Sequence, residues 1–176
     1  MMWLLGQNYI NIHLIKKVFI SIFFLLASCT NVQDPWKLDG METGYAQYNS
    51  SRLTYSAPLS HLSLEFLKTG KETASYLFSR QFKFIPTSSD SKKTEVTLTI
   101  GEKIIFESLP LREGRMRLKL SPETTQQIIH SLQQGKQITI VTSGIKETIY
   151  PATFEIAFEK LLRGDKPLNF IRGPFE

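Results

Sequence analysis

The chain reads as a mainly β (α+β) protein: a small antiparallel β-sandwich or curled sheet of about seven strands, with one or two helices toward the C-terminal side. Three observations predict it. From His61 onward, apolar and polar residues alternate with the period of half-buried strands. The turns between those runs are short, which favours antiparallel pairing. At Ser121 the period switches to that of a helix.

The elements run in order along the chain. Leu62, Leu64 and Phe66 alternate with Ser63 and Glu65, and Thr69-Gly70-Lys71 makes a turn. In the next run Tyr76, Phe78, Phe82 and Phe84 fall on one face, interrupted by Arg80. A polar loop spans Pro86 to Lys93. Val96, Leu98 and Ile100 then alternate with Thr97 and Thr99, and Gly101-Glu102-Lys103 reverses the chain into Ile104–Leu109. After Glu113-Gly114 comes a strand with Arg115 and Arg117 outward and Met116, Leu118 and Leu120 inward. Ser121-Pro122-Glu123 is a helix start: Ser caps, Pro suits the first helical position, and Glu favours the positive end of the helix dipole. Ile128, Ile129 and Leu132 give its apolar stripe and Gly135 its stop. Gln137–Val141 and Ile145–Tyr150 form a hairpin around Ser143-Gly144. Past Pro151, Phe154, Phe158 and Leu161 have helical spacing with Gly164 just beyond, although Phe154, Ile156 and Phe158 also alternate as a strand would. Helix is the favoured reading.

Upstream of the domain the texture differs. An apolar run, Val18 to Leu26, succeeds Lys16-Lys17 and ends in Leu26-Ala27-Ser28-Cys29. Cations, a short apolar segment and small residues before a cleavage point make a secretory signal peptide. A membrane span needs roughly 20 apolar residues, and extending this run upstream meets the two lysines, each costly at bilayer depth. The stretch before the cations, Met1 to Ile15, is uncharged, so either this n-region is atypical or translation starts nearer Leu14.

Leu26-Ala27-Ser28-Cys29 resembles, residue for residue, the lipobox of bacterial lipoproteins. The resemblance covers the first thirty residues. It implies cleavage between Ser28 and Cys29, a thioether-linked diacylglycerol on Cys29, and Cys29 as the first mature residue. Cys29 is the only cysteine in the chain. One acyl chain binds a membrane reversibly, at about 0.8 kcal/mol per buried CH₂, and two or three hold durably. The partner implied is therefore a membrane, reached through lipid on Cys29. Thr30 stands where an Asp would retain an enterobacterial lipoprotein at the inner membrane, so by the same resemblance the outer membrane is favoured over the other envelope sites. From Met116 to Leu162 the order strand, Ser-capped helix, Gly-Lys-Gln turn, hairpin and Phe-rich end is faintly similar to the invasion-associated locus B family of envelope proteins, without the paired cysteines common there. The composition also resembles small chlamydial lipoproteins.

The expected organisation is thus residues 1–28 signal peptide, 29–59 lipidated Cys and flexible tether, 60–163 globular β-rich domain and 164–176 tail. In the tether, Trp36, Tyr45, Tyr48 and Tyr55 are scattered without period and can alternatively dock on the domain. Removing 1–28 from the 176 residues leaves 148, enough for one domain. The formal charge of +5 drops to +3 when Lys16 and Lys17 leave, and the dispersed charges predict no nucleic-acid partner. With Cys29 acylated there is no disulfide, thiol nucleophile or Cys-based metal site.

Candidate chemistry is sparse. Arg112, Arg115, Arg117 and Lys119 form the main cationic concentration, read as the solvated face of a strand or as a patch for an anionic partner. His61 and His130 have no carboxylate at ligand spacing, so no metal and no cofactor are expected. No nucleophile elbow, His-Glu-x-x-His or phosphate loop is present. Glu155 and Glu159 read as a helix's solvated face rather than a glycosidase pair. Arg163-Gly164-Asp165 resembles an integrin-binding tripeptide, but Gly164 already has a reason as a helix stop. Asn49-Ser50-Ser51 fits a glycosylation sequon that a bacterial lipoprotein would not use. Leu168, Phe170, Ile171 and Phe175 make an apolar tail that either packs back or adds to a partner. The expected function is a non-enzymatic binding or structural module of the bacterial envelope, with an unidentified envelope or host protein as partner. The alternatives are an envelope hydrolase acting on wall or lipid, and a carrier of an apolar ligand.

Overall fold

The structure, a computed structural model, describes residues 34–41 and 50–164. They form two antiparallel sheets and two helices in a sandwich-like, mainly β arrangement. The strands are β1 (Trp36–Met41), β2 (Ser50–Tyr55), β3 (Leu62–Thr69), β4 (Glu72–Ser79), β5 (Lys93–Ile100), β6 (Lys103–Pro110), β7 (Arg117–Lys119), β8 (Ile138–Thr142) and β9 (Ile145–Ile149). The helices are α1 (Pro122–Gln133) and α2 (Phe154–Arg163). One sheet has the order β1-β2-β3-β4-β7, the other β6-β5-β8-β9.

The alternation seen from His61 onward builds the inner faces. Leu62, Leu64 and Phe66 are fully buried from one sheet; Val96, Leu98, Ile138, Ile140 and Ile149 face them from the other. The β8–β9 hairpin turns through Ser143-Gly144 with φ of 52° and 77°. Two positive φ values mark the turn whose twist matches antiparallel strands, and a glycine tolerates that backbone best. Helix α1 starts as its sequence dictates: the Ser121 side chain accepts the Thr124 N–H at 3.1 Å, and Pro122 opens the first turn. Helix α2 resolves the helix-or-strand ambiguity in favour of helix. Phe154, Phe158 and Leu161 are buried on one stripe, and Gly164 ends the helix at φ 73°. Lys68 Nζ on β3 donates to the Leu162 carbonyl at its last turn.

Four expectations need correction. The stretch 29–59 is not tether throughout, because β1 and β2 lie within it and belong to the five-stranded sheet. Trp36, Leu53 and Tyr55 from these strands are buried in the core. Each strand contributes only two or three inward residues, too short an alternation to stand out from a polar background. These two strands raise the count among the described residues to nine, against about seven expected.

The third correction is a phase. In β4 the buried face is Ser75, Leu77 and Ser79, with Tyr76 and Phe78 on the opposite, half-buried face. The inward side has small residues because α1 comes close there: Ser75 Oγ lies 2.6 Å from Thr125 Oγ1 and Ser75 O accepts the Leu120 N–H. Phe82 and Phe84 lie beyond the end of the strand, packed edge to face on each other at 5.5 Å. Fourth, the strand expected to include Arg115 is only Arg117–Lys119; Arg115 sits in the preceding turn at φ 51°.

The aromatic residues gather at one seam. Trp36 packs edge-on to Tyr55 at 4.9 Å and against Phe154 at 4.8 Å, and Phe66 contacts both Phe154 (5.6 Å) and Phe158 (5.7 Å). These rings join β1, β2 and β3 to α2. Replacing Phe66, which is fully buried, by Ala removes a ring with neighbours on three sides. We expect a loss of about 3–5 kcal/mol in denaturant unfolding monitored by circular dichroism, whereas Phe106→Ala, 77% exposed on β6, changes stability by less than about 0.5 kcal/mol.

Candidate functional surface

The cationic cluster read from the sequence does not act as one group. Arg117 turns to the outer face of its sheet. Its guanidinium lies 3.9 Å above the centre of the Tyr76 ring and 2.8 Å from Glu65 Oε2, a contact along which the N–H is not aimed at the oxygen. Arg52 approaches the same carboxylate at 3.6 Å and Asp39 at 3.8 Å. The register sets this up: Glu65 stands opposite Tyr76 on β4, and Phe78 opposite Arg117 on β7. A carboxylate that is 9% exposed is thus flanked by two guanidiniums, the condition under which a nearly buried charge is tolerated. No pattern of spacing marked it, because Glu65 reads locally as the polar member of an alternating strand.

The other three cations are placed differently. Arg112 and Arg115 bracket a turn, closed by the Arg115 N–H on the Arg112 carbonyl at 3.0 Å, and Arg115 O accepts the Phe84 N–H at 2.7 Å. Lys119 shares the outer face of β7 with Arg117. Among the described residues no carboxylate lies within ion-pair distance of Arg112, Arg115 or Lys119, and all three are exposed. Cys29 and the cleavage position at Ser28 lie outside the described residues, as do the tail residues and Asp165.

A second polar cluster went unread in the sequence. Glu107 on β6 accepts hydrogen bonds on Oε1 from Ser121 Oγ and Thr124 Oγ1, both at 2.5 Å, while its Oε2 is buried without a partner among the described residues. The negative carboxylate sits at the positive end of α1. Thr125 Oγ1 donates to Ser121 O and meets Ser75 on β4. The first turn of α1 is therefore bonded to a strand from each sheet.

The histidines stand apart from one another. His61 Nδ1 lies 2.8 Å from Gln81 Oε1, and its backbone N–H donates to Glu147 Oε2 at 3.1 Å. His130 Nε2 lies 2.8 Å from Gln134 Nε2. Neither imidazole is hydrogen-bonded to a serine hydroxyl or a carboxylate among the described residues, where no cluster of three or more metal-ligating side chains occurs either. Arg163 pairs with Glu159 at 2.6 Å along α2. An open depression of about 350 Å³ lies between the end of α1 and the start of α2, lined by Leu132, Gly135, Pro151, Thr153, Glu155 and Ile156 among others. Among the described residues no helix is long and apolar enough to cross a membrane.

No known protein family, curated protein or solved structure matches this chain.

Two outcomes are expected from these clusters. Arg117→Ala leaves Glu65 with only the longer Arg52 contact, so it costs about 1–3 kcal/mol; the double variant Glu65→Leu/Arg117→Leu recovers most of that loss, read as a double-mutant cycle in urea. Burial pushes the Tyr55 phenol up from its usual value of 10.0, a backbone hydrogen bond from Tyr150 opposes this, and the Glu147 charge adds to it. The folded state therefore holds the phenolic proton more tightly than the unfolded chain. Stability is unaffected below pH 10 and falls as the pH rises from there toward the folded-state pKa. Tyr55→Phe flattens that alkaline decline in melts taken between about pH 9 and pH 11.

Proposed function

We propose that this is a lipid-anchored protein of the bacterial envelope whose β-sandwich acts as a binding or structural module rather than an enzyme. One observation carries the reading: the only cysteine of the chain stands at the end of Leu26-Ala27-Ser28-Cys29, directly after a cation pair and a short apolar run. A secretory leader of that form needs no cysteine, and a packed core needs no thiol here. Acylation of Cys29 accounts for both. Thr30 favours the outer membrane.

The module reading rests on the domain downstream of the leader. That domain spends its polar side chains on itself, in the Glu65 and Glu107 clusters. Arg112, Arg115 and Lys119 remain as exposed cations at the β7 side of the five-stranded sheet, which suits an anionic partner on an envelope or host protein. That contact would weaken with salt.

The test is metabolic labelling with palmitate in a bacterial host, with protease shaving of intact cells. We expect label on the wild-type protein, none on Cys29→Ser, and a labelled species shortened by cleavage of the leader. An exported protein bearing a free thiol, or one retaining its leader, overturns the reading.

A further inference from the structure

Resting on the lipid-anchor reading, we propose that the end of the domain carrying Leu59, Tyr150 and Ile156 is apposed to the bilayer that holds the anchor. The tether is the reason. The described domain starts at Asp34, and only Thr30 to Gln33 separate it from Cys29. Fully extended, that chain spans about 17 Å at roughly 3.4 Å per residue, whereas a domain of this size is about 35 Å across. Whatever path those four residues take, Asp34 stays within about half a domain diameter of the lipidated sulfur. A slack 30-residue leash would let the domain tumble freely; four residues select one end.

Asp34 is fixed to that end by its own bonds. Its Oδ1 accepts the Trp36 N–H at 2.9 Å and the Thr153 hydroxyl at 2.6 Å. The Pro35 carbonyl accepts the Ser56 N–H at 2.9 Å, and Trp36 Nε1 donates to the Tyr150 carbonyl at 3.3 Å. Three of these four bonds, those to Thr153, Ser56 and Tyr150, lead to an exposed apolar side chain. Tyr150, 52% exposed, is reached directly. Ile156, 63% exposed, lies one helical turn past Thr153 and lines the depression beside Pro151. Leu59 is three residues past Ser56, in a turn closed by the Ser60 N–H on the Ala57 carbonyl.

Leu59 is the telling one. It is 96% exposed and has φ 65°, a backbone region where Gly or Asn is favoured and a branched aliphatic chain is strained. The fold gains nothing from a leucine there: it buries no surface and strains its backbone. An aliphatic chain at that position gains only if something apolar meets it from outside. An acyl-chain boundary does, and a tyrosine beside it is the side chain that prefers the interface. The charges at this end are of both signs, Asp34, Glu147 and Glu155 being acids and Lys37 and Lys136 bases, with no excess of cations. The contact is thus set by proximity and apolar surface and does not require anionic lipid.

The experiment uses the lipidated protein purified from bacterial membranes and reconstituted into phosphatidylcholine vesicles. Because acylation consumes Cys29, each of Leu59→Cys, Tyr150→Cys, Ile156→Cys and Phe106→Cys presents a single thiol for a fluorescent label. All four positions are exposed, and circular dichroism checks that each variant folds. With a headgroup spin-labelled lipid included as quencher, labels at 59, 150 and 156 lose at least twofold more intensity than the label at 106, which lies on the outer face of β6, the edge strand of the four-stranded sheet opposite β9. Equal quenching at all four positions, or labels shifted to the blue yet untouched by the lipid quencher as a second copy of the chain would cause, overturns the apposition. The intact mass of the same preparation separates the two claims. An acylated protein with unquenched labels sinks the apposition alone, and an unacylated one sinks the anchor and the apposition together.

Discussion

The aromatic seam between β1, β2, β3 and α2 is the contact on which the rest of the domain depends. Trp36, Tyr55, Phe66, Phe154 and Phe158 come from both ends of the described chain and meet at centroid distances of 4.8–6.1 Å. A chain without a disulfide has only packing with which to close its ends against its middle. Fully burying each large ring contributes on the order of 2–3 kcal/mol, and all five act where the terminal strands and the terminal helix meet. The seam also carries polar stitches across the sheets: Trp36 Nε1 to the Tyr150 carbonyl, and the Tyr55 hydroxyl near the Thr148 carbonyl at 3.5 Å.

A different device works around α1. There the helix start is bonded to Glu107 of one sheet and Ser75 of the other, so the two sheets are held through the first turn of α1 as well as by side-chain packing. On the outer face of the five-stranded sheet, Glu65 plays a comparable part among Arg52, Arg117 and Tyr76. Both carboxylates are committed to internal partners. This explains why the cationic run Arg112–Lys119 divides into one structural residue, Arg117, and three available ones. Grouping by sequence distance takes no account of which charges the fold has already spent.

The function we propose comes from placing such a body next to a membrane. On that proposal the lipobox-like tetrapeptide is the point of attachment, and the hydrogen bonds of Asp34 and Pro35 select the end of the body nearest to it. On the same proposal Lys119 on β7, Arg112 and Arg115 in the turn before it, without an ion-pair partner among the described residues, and the Thr-rich outer face of the four-stranded sheet, with Thr97, Thr99, Thr139 and Thr148, remain for partners in solution or on neighbouring structures.

The sequence by itself determined the fold class, the positions of β3, β5, β8 and β9, both helices and their stops, because in each of these the inward residues repeat over enough positions to report their own period. Ser121-Pro122 and Gly164 act within a turn of themselves, so local chemistry sufficed. Only the tertiary structure decided the membership of β1 and β2, the phase of β4 and the fate of the charges. Trp36 and Leu53 are too few to declare a period and become core only when β3 and α2 supply the opposite wall. Ser75 turns inward where α1 comes close, and Ser79 where its hydroxyl accepts the Gln81 and Phe82 N–H groups of the following loop. Glu65 finds Arg52 and Arg117 across strand pairings, and no residue can announce a partner that only the register brings beside it.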